Sequence, residues 1–503
     1  MLANTTLPLI QQARTHSSRI AIIDEHGQYT YSELLDKAQN VASFLLDGKD
    51  DLKEARVAFL VPSGFEYVVV QWGIWLAGGI AVPLCISHPL PEIEYVLQDT
   101  GATALVAHPK FAEKIQAAAA DRNIRFALVS SALQAQPAHL PQIDAKRRAM
   151  ILYTSGTTSK PKGAVLTHRN IEAQITCLVE AWGWSADDHI LHVLPLHHTH
   201  GIINALSCAL LAGATCEMLP KFETGAVWQR LMAGKITLFM AVPTIYVKLI
   251  AAWENAAPEM QRAMSDACAK LRLMVSGSAA LPVSIFEKWQ AISGHALLER
   301  YGMTEIGMAL SNPLHGERRP GAVGIPLSGV NAKLVDENGY EIREENIPGE
   351  IHISGPNVFP EYWQKKETTQ QAFTTDGWFL TGDIAVIEKG YFKILGRNSV
   401  DIIKTGGYKV SALEIEEVLR AHPNIDECAV VGIADTEWGE RVCAAFVPVD
   451  KHIISLDELR AWAKERLASY KIPTKLLPTK KLPRNVMGKV TKPEVKRMFE
   501  HLD

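Results

Sequence analysis

The stretch Thr154-Ser-Gly-Thr-Thr-Ser-Lys-Pro-Lys-Gly163 places hydroxyl side chains, two glycines and two lysines within ten positions. Apolar residues flank it on both sides, at Ile151–Tyr153 and Ala164–Leu166. This pattern predicts a short strand, a polar turn and a second strand. Backbone amides, hydroxyls and ammonium groups in such a turn can bind an anion, as phosphate-binding loops do.

The stretch does not match the Walker A motif, whose glycines are closer together and which runs through Lys-Ser/Thr into a helix. The gap between Gly156 and Gly163 is too long for that motif. One interpretation is therefore a nucleotide phosphate site outside the P-loop class. The other is a surface hairpin, because clusters of Ser, Thr and Gly usually mark loops. The stretch alone leaves both open.

The bulk composition is that of a soluble globular protein. With 503 residues the chain should form two or more domains, because single cores stop growing at about 250–300 residues. Its net charge of -4 gives no reason to expect a nucleic-acid partner. The seven cysteines are dispersed and form no Cys-x-x-Cys pair, which favours a reducing compartment over a disulfide or zinc framework.

The N-terminal segment from Met1 to Ile23 lacks the long apolar core and the cleavage pattern of a secretory signal. Asp24 and Glu25 follow closely, so a mitochondrial transit peptide is not supported either. We expect a cytoplasmic protein, and a mitochondrial location stays open. The apolar run Val68–Ile86 is interrupted by glycines and a proline, which favours a buried helix and strand over a membrane span.

Helical and β-branched segments alternate along most of the chain. Predicted helices are Tyr31–Leu46, Ser63–Leu76 and Asn170–Ala181, and predicted strands are Val57–Val61, Ala104–Ala107, Ala127–Val129 and Leu271–Val275. This alternation is typical of α/β units on largely parallel sheets. Short strands between Pro348 and Leu395 predict a small β-rich subdomain, and an α+β unit follows. We expect one domain over residues 1–397 and a second over 398–503.

Five further clusters follow the Thr154–Gly163 stretch in a fixed order. They are Leu194–Gly201 (Leu-Pro-Leu-His-His-Thr-His-Gly), Ser276–Pro282, Arg300–Glu305, Trp378–Asp383 with Gly396-Arg397, and Pro483–Lys489. Each is weak alone. Together, over most of the chain, they resemble the adenylate-forming (acyl-CoA synthetase) superfamily. The resemblance implies an α/β fold with a large N-terminal domain of two layered subdomains and a small β-rich one, and a small mobile α+β C-terminal domain.

Within this superfamily the chain is most similar to the malonyl-CoA synthetases, and to their eukaryote-type branch. The residues that carry this resemblance are His198–Gly201, Val242–Tyr246, Ser276–Ala279, Leu298–Glu305 and Asp401–Glu414. The family reaction uses ATP, Mg²⁺ and coenzyme A. A carboxylate attacks the α-phosphate to give an acyl-adenylate and pyrophosphate, and the CoA thiol then expels AMP. Such chemistry needs charge neutralisation and positioning.

The resemblance also implies the nucleotide-binding residues. The phosphate stretch would contact the β- and γ-phosphates through Thr154, Ser155, Gly156, Thr157, Thr158, Ser159, Lys160 and Lys162. The family usually has glycine at the position of Ser159. Thr304 would bind the α-phosphate, and Glu305 would bind Mg²⁺, for which a carboxylate is a suitable hard ligand. The alternative for Glu305 is a solvent-facing glutamate at a helix start.

By the same resemblance, Asp383 would accept hydrogen bonds from the ribose hydroxyls, with help from Arg397. The residues expected to frame the adenine and AMP are Ser278, Ala279, Tyr301, Gly302 and Met303. The alternative for Tyr301 is a tyrosine packed in the core.

Lys489 is the expected adenylation lysine, because a mobile cation near the carboxylate and the α-phosphate would stabilise the transition state. The alternative is a basic surface, since residues 471–492 contain seven basic side chains and no acidic one. The small domain must then close and later reorient for thioester formation. The hinge should be Ser399 or Asp401, because the segment from Arg397 to Gly407 carries one residue more than many family members.

The second conformation implies a channel for CoA. The residues expected there are Lys404, Gly406, Gly407, Tyr408, Lys409 and Arg441. For Lys404 and Arg441, simple surface charge is the alternative.

A dicarboxylate pocket must neutralise a second anion, because burying it unpaired is costly. The candidates for the acyl site are His198, His200, Lys248, Ser276, Arg300 and Met303. Many bacterial malonyl-CoA synthetases have arginine where Lys248 stands, and lysine keeps the charge but loses bidentate geometry. The alternative for Lys248 is an exposed helix residue. His198 also has a catalytic or gating role in relatives with other substrates.

The resemblance implies an ATP-dependent malonate:CoA ligase that acts on small molecules, with methylmalonate as a second substrate and a role in fatty acid metabolism. One alternative is a synthetase for another short or medium carboxylic acid. A second is an adenylating enzyme that loads a separate carrier protein; we expect no fused carrier. A third is an inactive acyl-adenylate-binding protein, which Lys489, Glu305 and Asp383 disfavour.

Overall fold

The architecture described here comes from a computed structural model that describes residues 7–154, 161–406, 408–485 and 489–500. The predicted α/β alternation forms two large sheets flanked by helices. The helices before residue 300 are Pro8–Thr15, Tyr31–Leu46, Phe65–Leu76, Leu90–Thr100, Ala112–Ala120, Val129–Ala132, His168–Ala181, Cys208–Ala212, Thr224–Met232, Pro243–Glu254, Pro258–Ala269 and Val283–Ser293. Later helices are Lys366–Gln371, Ala412–Arg420, Leu456–Lys464 and Lys492–Glu500. A π-helix covers His200–Ser207, and single 3₁₀ turns cover Pro109–Phe111, Val449–Lys451 and Ser469–Lys471.

One large sheet has seven strands. Their spatial order is Glu361–Tyr362, Lys162–Thr167, Arg148–Thr154, Ile80–Pro83, Arg56–Leu60, Ala104–Ala107 and Arg125–Leu128. The last five run parallel, and the first two are antiparallel additions at one edge. The strand, turn and strand predicted around the phosphate stretch are confirmed: Tyr153 pairs with Gly163 in an antiparallel hairpin. The predicted strand at Ala127–Val129 ends one residue early, because Val129 begins a helix.

The second large sheet has nine strands. Their order is Ile325–Pro326, Gly307–Ser311, Leu298–Met303, Leu273–Ser276, Leu238–Ala241, His189–His192, Thr215–Met218, Ile20–Asp24 and Gly27–Thr30. The central strands are parallel, and both edges close with antiparallel hairpins. The carboxyl ends of the parallel strands therefore meet at one edge of the sheet, where α/β proteins place their ligands.

Helix Phe65–Leu76 and strand Ile80–Pro83 account for the apolar run that resembled a membrane span. Every residue of the strand is buried, and the helix packs against Tyr31–Leu46 in the largest apolar core. A capping box between Thr30 and Glu33 starts that neighbouring helix. Within the described residues, no helix is long and apolar enough to cross a bilayer.

The small β-rich subdomain is a five-stranded sheet, and it begins earlier than predicted. Its strands are, in spatial order, Glu341–Ile342, Asn331–Val335, Gly349–Ser354, Phe379–Glu388 and Tyr391–Arg397. The prediction of a start at Pro348 is wrong, because two strands precede it. They bury only Leu334, Val335 and Ile342, so they show no clear apolar alternation.

The C-terminal unit is built on a five-stranded sheet. It contains Tyr408–Ser411, Ile402–Thr405, Gly439–Pro448 and Ile425–Asp435, and Lys475–Pro478 pairs in parallel with Gly439–Pro448. Among the described residues, its two apolar clusters draw only on positions from Ile403 to Phe499. The division at residues 397 and 398 stays a prediction.

Candidate active site

Three segments of the nine-stranded sheet converge at its carboxyl edge. Ser276 ends one parallel strand, Arg300 lies in the adjacent strand Leu298–Met303, and His200 begins the π-helix that follows a third strand. All three residues are buried. Short π-helical segments occur frequently at functional sites. The parallel topology thus brings together side chains that lie far apart in the sequence.

Four polar atoms in this cluster are buried and have no hydrogen-bond partner among the described residues. They are Nε2 of His198, Nε2 of His200, Oγ of Ser276 and Nε of Arg300. Buried polar groups are normally paired, so a concentration of unpaired atoms is unusual for a packed core. The atoms include hydrogen-bond donors around a cation, which suits the binding of a carboxylate.

Arg300 is the central charge of this cluster. Its side chain is 4% exposed, and burial lowers its pKa to about 9. The described residues place no carboxylate within ion-pair distance of it; one terminal nitrogen lies 3.4 Å from Oγ of Ser278. Gly277 permits this packing, because a Cβ at that position would lie 2.5 Å from Cζ of Arg300.

The neighbouring histidines are held neutral. Burial lowers the pKa of His198 to about 2, and the nearby His197 and Lys489 lower it further. Burial also places the pKa of His200 well below its usual value, with Arg300 as the next cause. Nδ1 of His200 lies 3.2 Å from Oγ of Ser278, which adopts a left-handed backbone with φ of 69°. Neutral imidazoles can donate or accept hydrogen bonds without adding charge.

Lys489 of the C-terminal unit approaches this cluster. Burial lowers the pKa of its ammonium, Arg300 and Arg397 lower it further, and Asp383 raises it. The backbone amide of Lys489 donates a hydrogen bond to Oδ1 of Asn485 at 3.0 Å. The residue as a whole is exposed, and charged groups of the N-terminal region act on its ammonium; its role as the adenylation lysine stays a prediction.

Asp383 lies at the centre of a hydrogen-bonded group. The Tyr301 hydroxyl donates to its Oδ2 at 2.6 Å, and Nε of Arg397 donates to its Oδ1 at 2.9 Å. Asp383 and Arg397 are partners across two antiparallel strands, which explains their contact. The ion pair raises the pKa of Arg397. The predicted ribose and adenine residues Asp383, Arg397 and Tyr301 therefore lie together.

Glu305 occupies the tight turn between strands Leu298–Met303 and Gly307–Ser311. Its side chain is buried, and Oε1 accepts a hydrogen bond of 2.8 Å from the Tyr362 hydroxyl. Burial raises its pKa, while Tyr362, Arg397 and Lys162 act in the opposite direction. The alternative of a solvent-facing glutamate at a helix start is wrong, because the antiparallel hairpin encloses the carboxylate.

The phosphate stretch is described only at its ends. Thr154 closes the first strand, and the Lys162 ammonium lies 4.6 Å from the centroid of the Tyr362 ring. The predicted contacts of Ser155, Gly156, Thr157, Thr158, Ser159 and Lys160 lie outside the described residues. Because Tyr362 also binds the Glu305 carboxylate, Lys162 is near the predicted magnesium ligand.

Other predicted nucleotide residues lie close to the same edge. Thr304 lines a narrow cleft with Thr199, Ile203 and Asn357. Gly302 has no room for a side chain, since a Cβ would lie 2.0 Å from the carbonyl oxygen of Gly307. The half-buried Met303 ends its strand, and Ala279 is exposed on the turn after Ser278.

Lys248 is not brought into the buried cluster. It lies on the exposed face of helix Pro243–Glu254, and its ammonium is 5.7 Å from the centroid of the Phe222 ring. The buried positions of that helix include Ile245, Tyr246 and Leu249, so Lys248 faces away from them. The prediction that Lys248 contacts malonate therefore lacks support from this geometry, and Arg300 is the buried cation.

The residues predicted for the CoA channel lie on the C-terminal unit. Lys404 and Tyr408 are exposed, and the Tyr408 ring stacks on Tyr470 at 4.3 Å. Gly406 has φ of 55° and lies against the Trp438 ring. Arg441 forms an ion pair with Asp435. Gly407 and the side chain of Lys409 lie outside the described structure.

The two hinge candidates differ in their contacts. Ser399 is exposed in the turn that follows strand Tyr391–Arg397. Asp401 is anchored: its Oδ2 accepts from the Arg397 amide at 3.0 Å, and its Oδ1 lies 2.7 Å from the Lys492 ammonium. Lys492 also contacts Glu416 at 2.7 Å.

The sequence did not predict the contacts of two residues, Tyr362 and Lys492. Tyr362 binds Glu305 across 57 positions of sequence, and no local motif marks it. Lys492 follows Lys489 closely, but in the sequence nothing distinguishes it from the other basic residues of segment 471–492.

Comparison with known proteins agrees with this geometry. A model of the AMP-binding enzyme family matches residues 9–363, and a model of the AMP-binding enzyme C-terminal domain matches residues 414–489. The chain belongs to the AMP-binding enzyme family. Its resemblance to the adenylate-forming superfamily, and the fold class inferred from it, are confirmed.

Relatives and solved structures cover nearly the whole of this AMP-binding enzyme. It is 46% identical to the malonate–CoA ligase ACSF3, mitochondrial, of Xenopus laevis, over 97% of this chain and 91% of the relative. It is 41% identical to the malonate–CoA ligase of Arabidopsis thaliana, over 97% and 88%. The crystal structure of ATP-bound MatB from Rhodopseudomonas palustris superposes with a TM-score of 0.91 at 34% identity and 99% coverage of each chain.

Proposed function

We propose that this AMP-binding enzyme is an ATP-dependent malonate:CoA ligase. It converts malonate, ATP and CoA to malonyl-CoA, AMP and pyrophosphate through an acyl-adenylate. The observation that carries the proposal is Arg300, a buried cation with no carboxylate partner among the described residues, whose charge acts on the Lys489 ammonium. Relatives named malonate–CoA ligases, 41–46% identical over nearly the full length, support the same substrate.

Arg300 would bind the carboxylate of malonate that does not react. Ser276, His198 and His200 complete its surroundings with neutral hydrogen-bonding groups. A buried carboxylate without such a partner would be strongly disfavoured, whereas a fatty-acid pocket needs no cation. Methylmalonate is the proposed second substrate, because one methyl group changes binding in a pocket by only about 1–3 kcal/mol.

Lys489 would stabilise the charge that develops when the reacting carboxylate attacks the α-phosphate. Burial and the neighbouring cations Arg300 and Arg397 lower the pKa of its ammonium, and Asp383 opposes that effect. Thr304 would donate to the α-phosphate, and the Asp383 group would orient the ribose. Preorganised donors of this kind lower the barrier without reorganising during the reaction.

Glu305 fits the role of magnesium ligand. Its buried carboxylate offers the hard oxygen that Mg²⁺ prefers, the Tyr362 hydroxyl orients it, and Lys162 lies nearby on the phosphate stretch. Bound Mg²⁺ would neutralise phosphate charge. Lys162 supplies the chain's own positive charge to the same region.

The two domains are proposed at residues 1–397 and 398–503, with Asp401 as the hinge. Asp401 connects the last strand of the first region, through Arg397, to helix Lys492–Glu500 of the second. Reorientation about this residue would withdraw Lys489. It would also bring forward the CoA set of Lys404, Gly406, Gly407, Tyr408, Lys409 and Arg441.

The test is release of AMP with malonate, acetate or octanoate, each with and without CoA, combined with mass spectrometry of the thioester. Malonate should give AMP and malonyl-CoA when CoA is supplied, and neither product without CoA. Malonate-dependent release of pyrophosphate, with neither AMP nor a thioester formed when CoA is present, would favour a carrier-loading enzyme whose acceptor is missing from the assay. Activity with octanoate but not with malonate would refute the dicarboxylate pocket.

Its compartment and its role in fatty acid metabolism are separate proposals. The seven dispersed cysteines fit a reducing compartment, and the vertebrate relatives are named as mitochondrial. Fractionation of cells that express the chain with a C-terminal tag distinguishes cytoplasm from mitochondria. Isotope tracing from labelled malonate into fatty acids tests the metabolic role.

A further inference from the structure

A second cluster of ligating side chains lies outside the groups assigned to nucleotide and acid. Cys85, His88 and His197 each point one ligand atom toward the others, and these atoms all lie within 4.8 Å of one another. Cys85 follows strand Ile80–Pro83 of the seven-stranded sheet, whereas His197 follows strand His189–His192 of the nine-stranded sheet. The cluster therefore joins the two large sheets.

Local structure presents the first two ligands from one turn. The His88 amide donates to the Cys85 carbonyl at 3.2 Å, and the chain reverses between them. The turn brings the ligand atoms of both residues close together, and short spacings between two ligands are typical of zinc sites. Cys85 is 6% exposed, while His88 and His197 are partly exposed, which leaves a path for an ion.

We propose that Cys85, His88 and His197 form a binding site for one Zn²⁺. One thiolate and two imidazoles are ligands that this ion prefers. Tetrahedral coordination at the usual bond lengths separates such ligand atoms by about 3.3–3.6 Å. Small rotations of the imidazole rings would bring the observed atoms to that spacing. Three protein ligands leave a fourth position for water or for the Ser87 hydroxyl, which lies 3.1 Å from Cys85 Sγ.

The contact between Glu92 and the His88 ring also supports the assignment of a zinc site. Oε2 of Glu92 lies 3.3 Å from Nδ1 of His88, four residues earlier in the chain. Metal-bound histidines usually donate their other ring N–H to a carboxylate, which orients the ring and increases its basicity. Nε2 of His88 is then the ligand atom. The Lys114 ammonium donates a hydrogen bond to the His88 carbonyl at 2.7 Å. The Glu92 carboxylate therefore also balances a nearby positive charge.

Metal content and spectroscopy of the full-length chain test the proposal. After chelator treatment and dialysis against Zn²⁺, the wild type should retain one zinc per chain, and Cys85→Ser and His88→Gln should retain none. Cys177→Ser and His26→Gln, which change a cysteine and a histidine elsewhere, should bind as the wild type does. Glu92→Gln should weaken zinc binding by about 10–100-fold.

Cobalt substitution and alkylation identify the ligand. Bound Co²⁺ should show a thiolate-to-metal absorption band that Cys85→Ser abolishes. Zn²⁺ should also protect Cys85 from iodoacetamide, as judged by peptide mass spectrometry. The proposal is overturned if Cys85→Ser binds as much zinc as the wild type, or if the cobalt complex lacks the thiolate band. Rapid alkylation of Cys85 with no effect of zinc would overturn it in favour of a merely reactive thiol.

Discussion

Replacing Arg300 with methionine should produce a more stable protein with a damaged active site. Burial lowers the Arg300 pKa from 12.5 to about 9, which corresponds to at most about 5 kcal/mol of unfavourable burial. Because the folded pKa is depressed, this penalty is constant well below pH 9. Hydrophobic replacement of buried ionic groups typically gains about 1–4 kcal/mol, so we expect a gain in that range at neutral pH.

The same substitution removes the proposed partner of the unreactive carboxylate of malonate. Breaking a buried charge pair costs about 3–5 kcal/mol, which is about 150- to 5,000-fold in kcat/KM. Acetate has no second carboxylate, so its kcat/KM should change by less than about tenfold. Malonate should also raise the Tm of the wild type but not that of Arg300→Met.

The assays are urea denaturation and coupled AMP release with both acids. Arg300→Lys is the matched control: it keeps the charge, loses bidentate geometry, and should retain part of the malonate activity. Equal losses for malonate and acetate would refute the assignment of Arg300 to the second carboxylate. A loss of stability in Arg300→Met is the result expected for an ordinary packing residue. It would refute the inference that burial of the Arg300 charge destabilises the folded protein.

Three further substitutions test other parts of the structure. Burial lowers the pKa of His168 to about 3, so its contribution to stability is complete above pH 6.5 and is lost as the pH falls toward 3. Between pH 7.5 and 5 the wild type should therefore lose about 2 kcal/mol more stability than His168→Phe, and equal pH dependence of both proteins would contradict this. Lys492→Met leaves two carboxylates without their shared cation and should cost about 3–5 kcal/mol in urea denaturation. Lys496 on the same helix forms a more exposed ion pair, so Lys496→Met should lower the free energy of unfolding by at most about 1 kcal/mol. Similar losses for Lys492→Met and Lys496→Met would refute the distinction between the buried and the exposed ion pair. Tyr362→Phe should raise the Mg²⁺ concentration needed for half-maximal AMP release by about 10–100-fold, whereas the exposed Tyr391→Phe should leave it unchanged; no shift in Tyr362→Phe would argue against the proposed magnesium site.

Local patterns predicted many elements well. Helix Tyr31–Leu46 and strand Ala104–Ala107 have the predicted bounds, because a capped amphipathic helix and a buried β-branched strand carry strong local signals. The predicted start of the β-rich subdomain is too late, because its first strands are short, bury few residues and lack such a signal. Lys248 illustrates a different limit of prediction from sequence. The family resemblance suggested that it lines the acyl pocket, but it lies on the exposed face of its helix.

The amino-acid sequence by itself determined the α/β class and, through six ordered motifs, the adenylate-forming chemistry. Only the tertiary structure showed that Arg300 is buried and has no carboxylate partner within the described part of the chain. It also showed that Tyr362 binds Glu305 and that His197 lies near Cys85. These pairings depend on strand order and on which strand ends meet at a sheet edge. Periodicity reports which face of an element is buried, but it does not report which distant element covers that face.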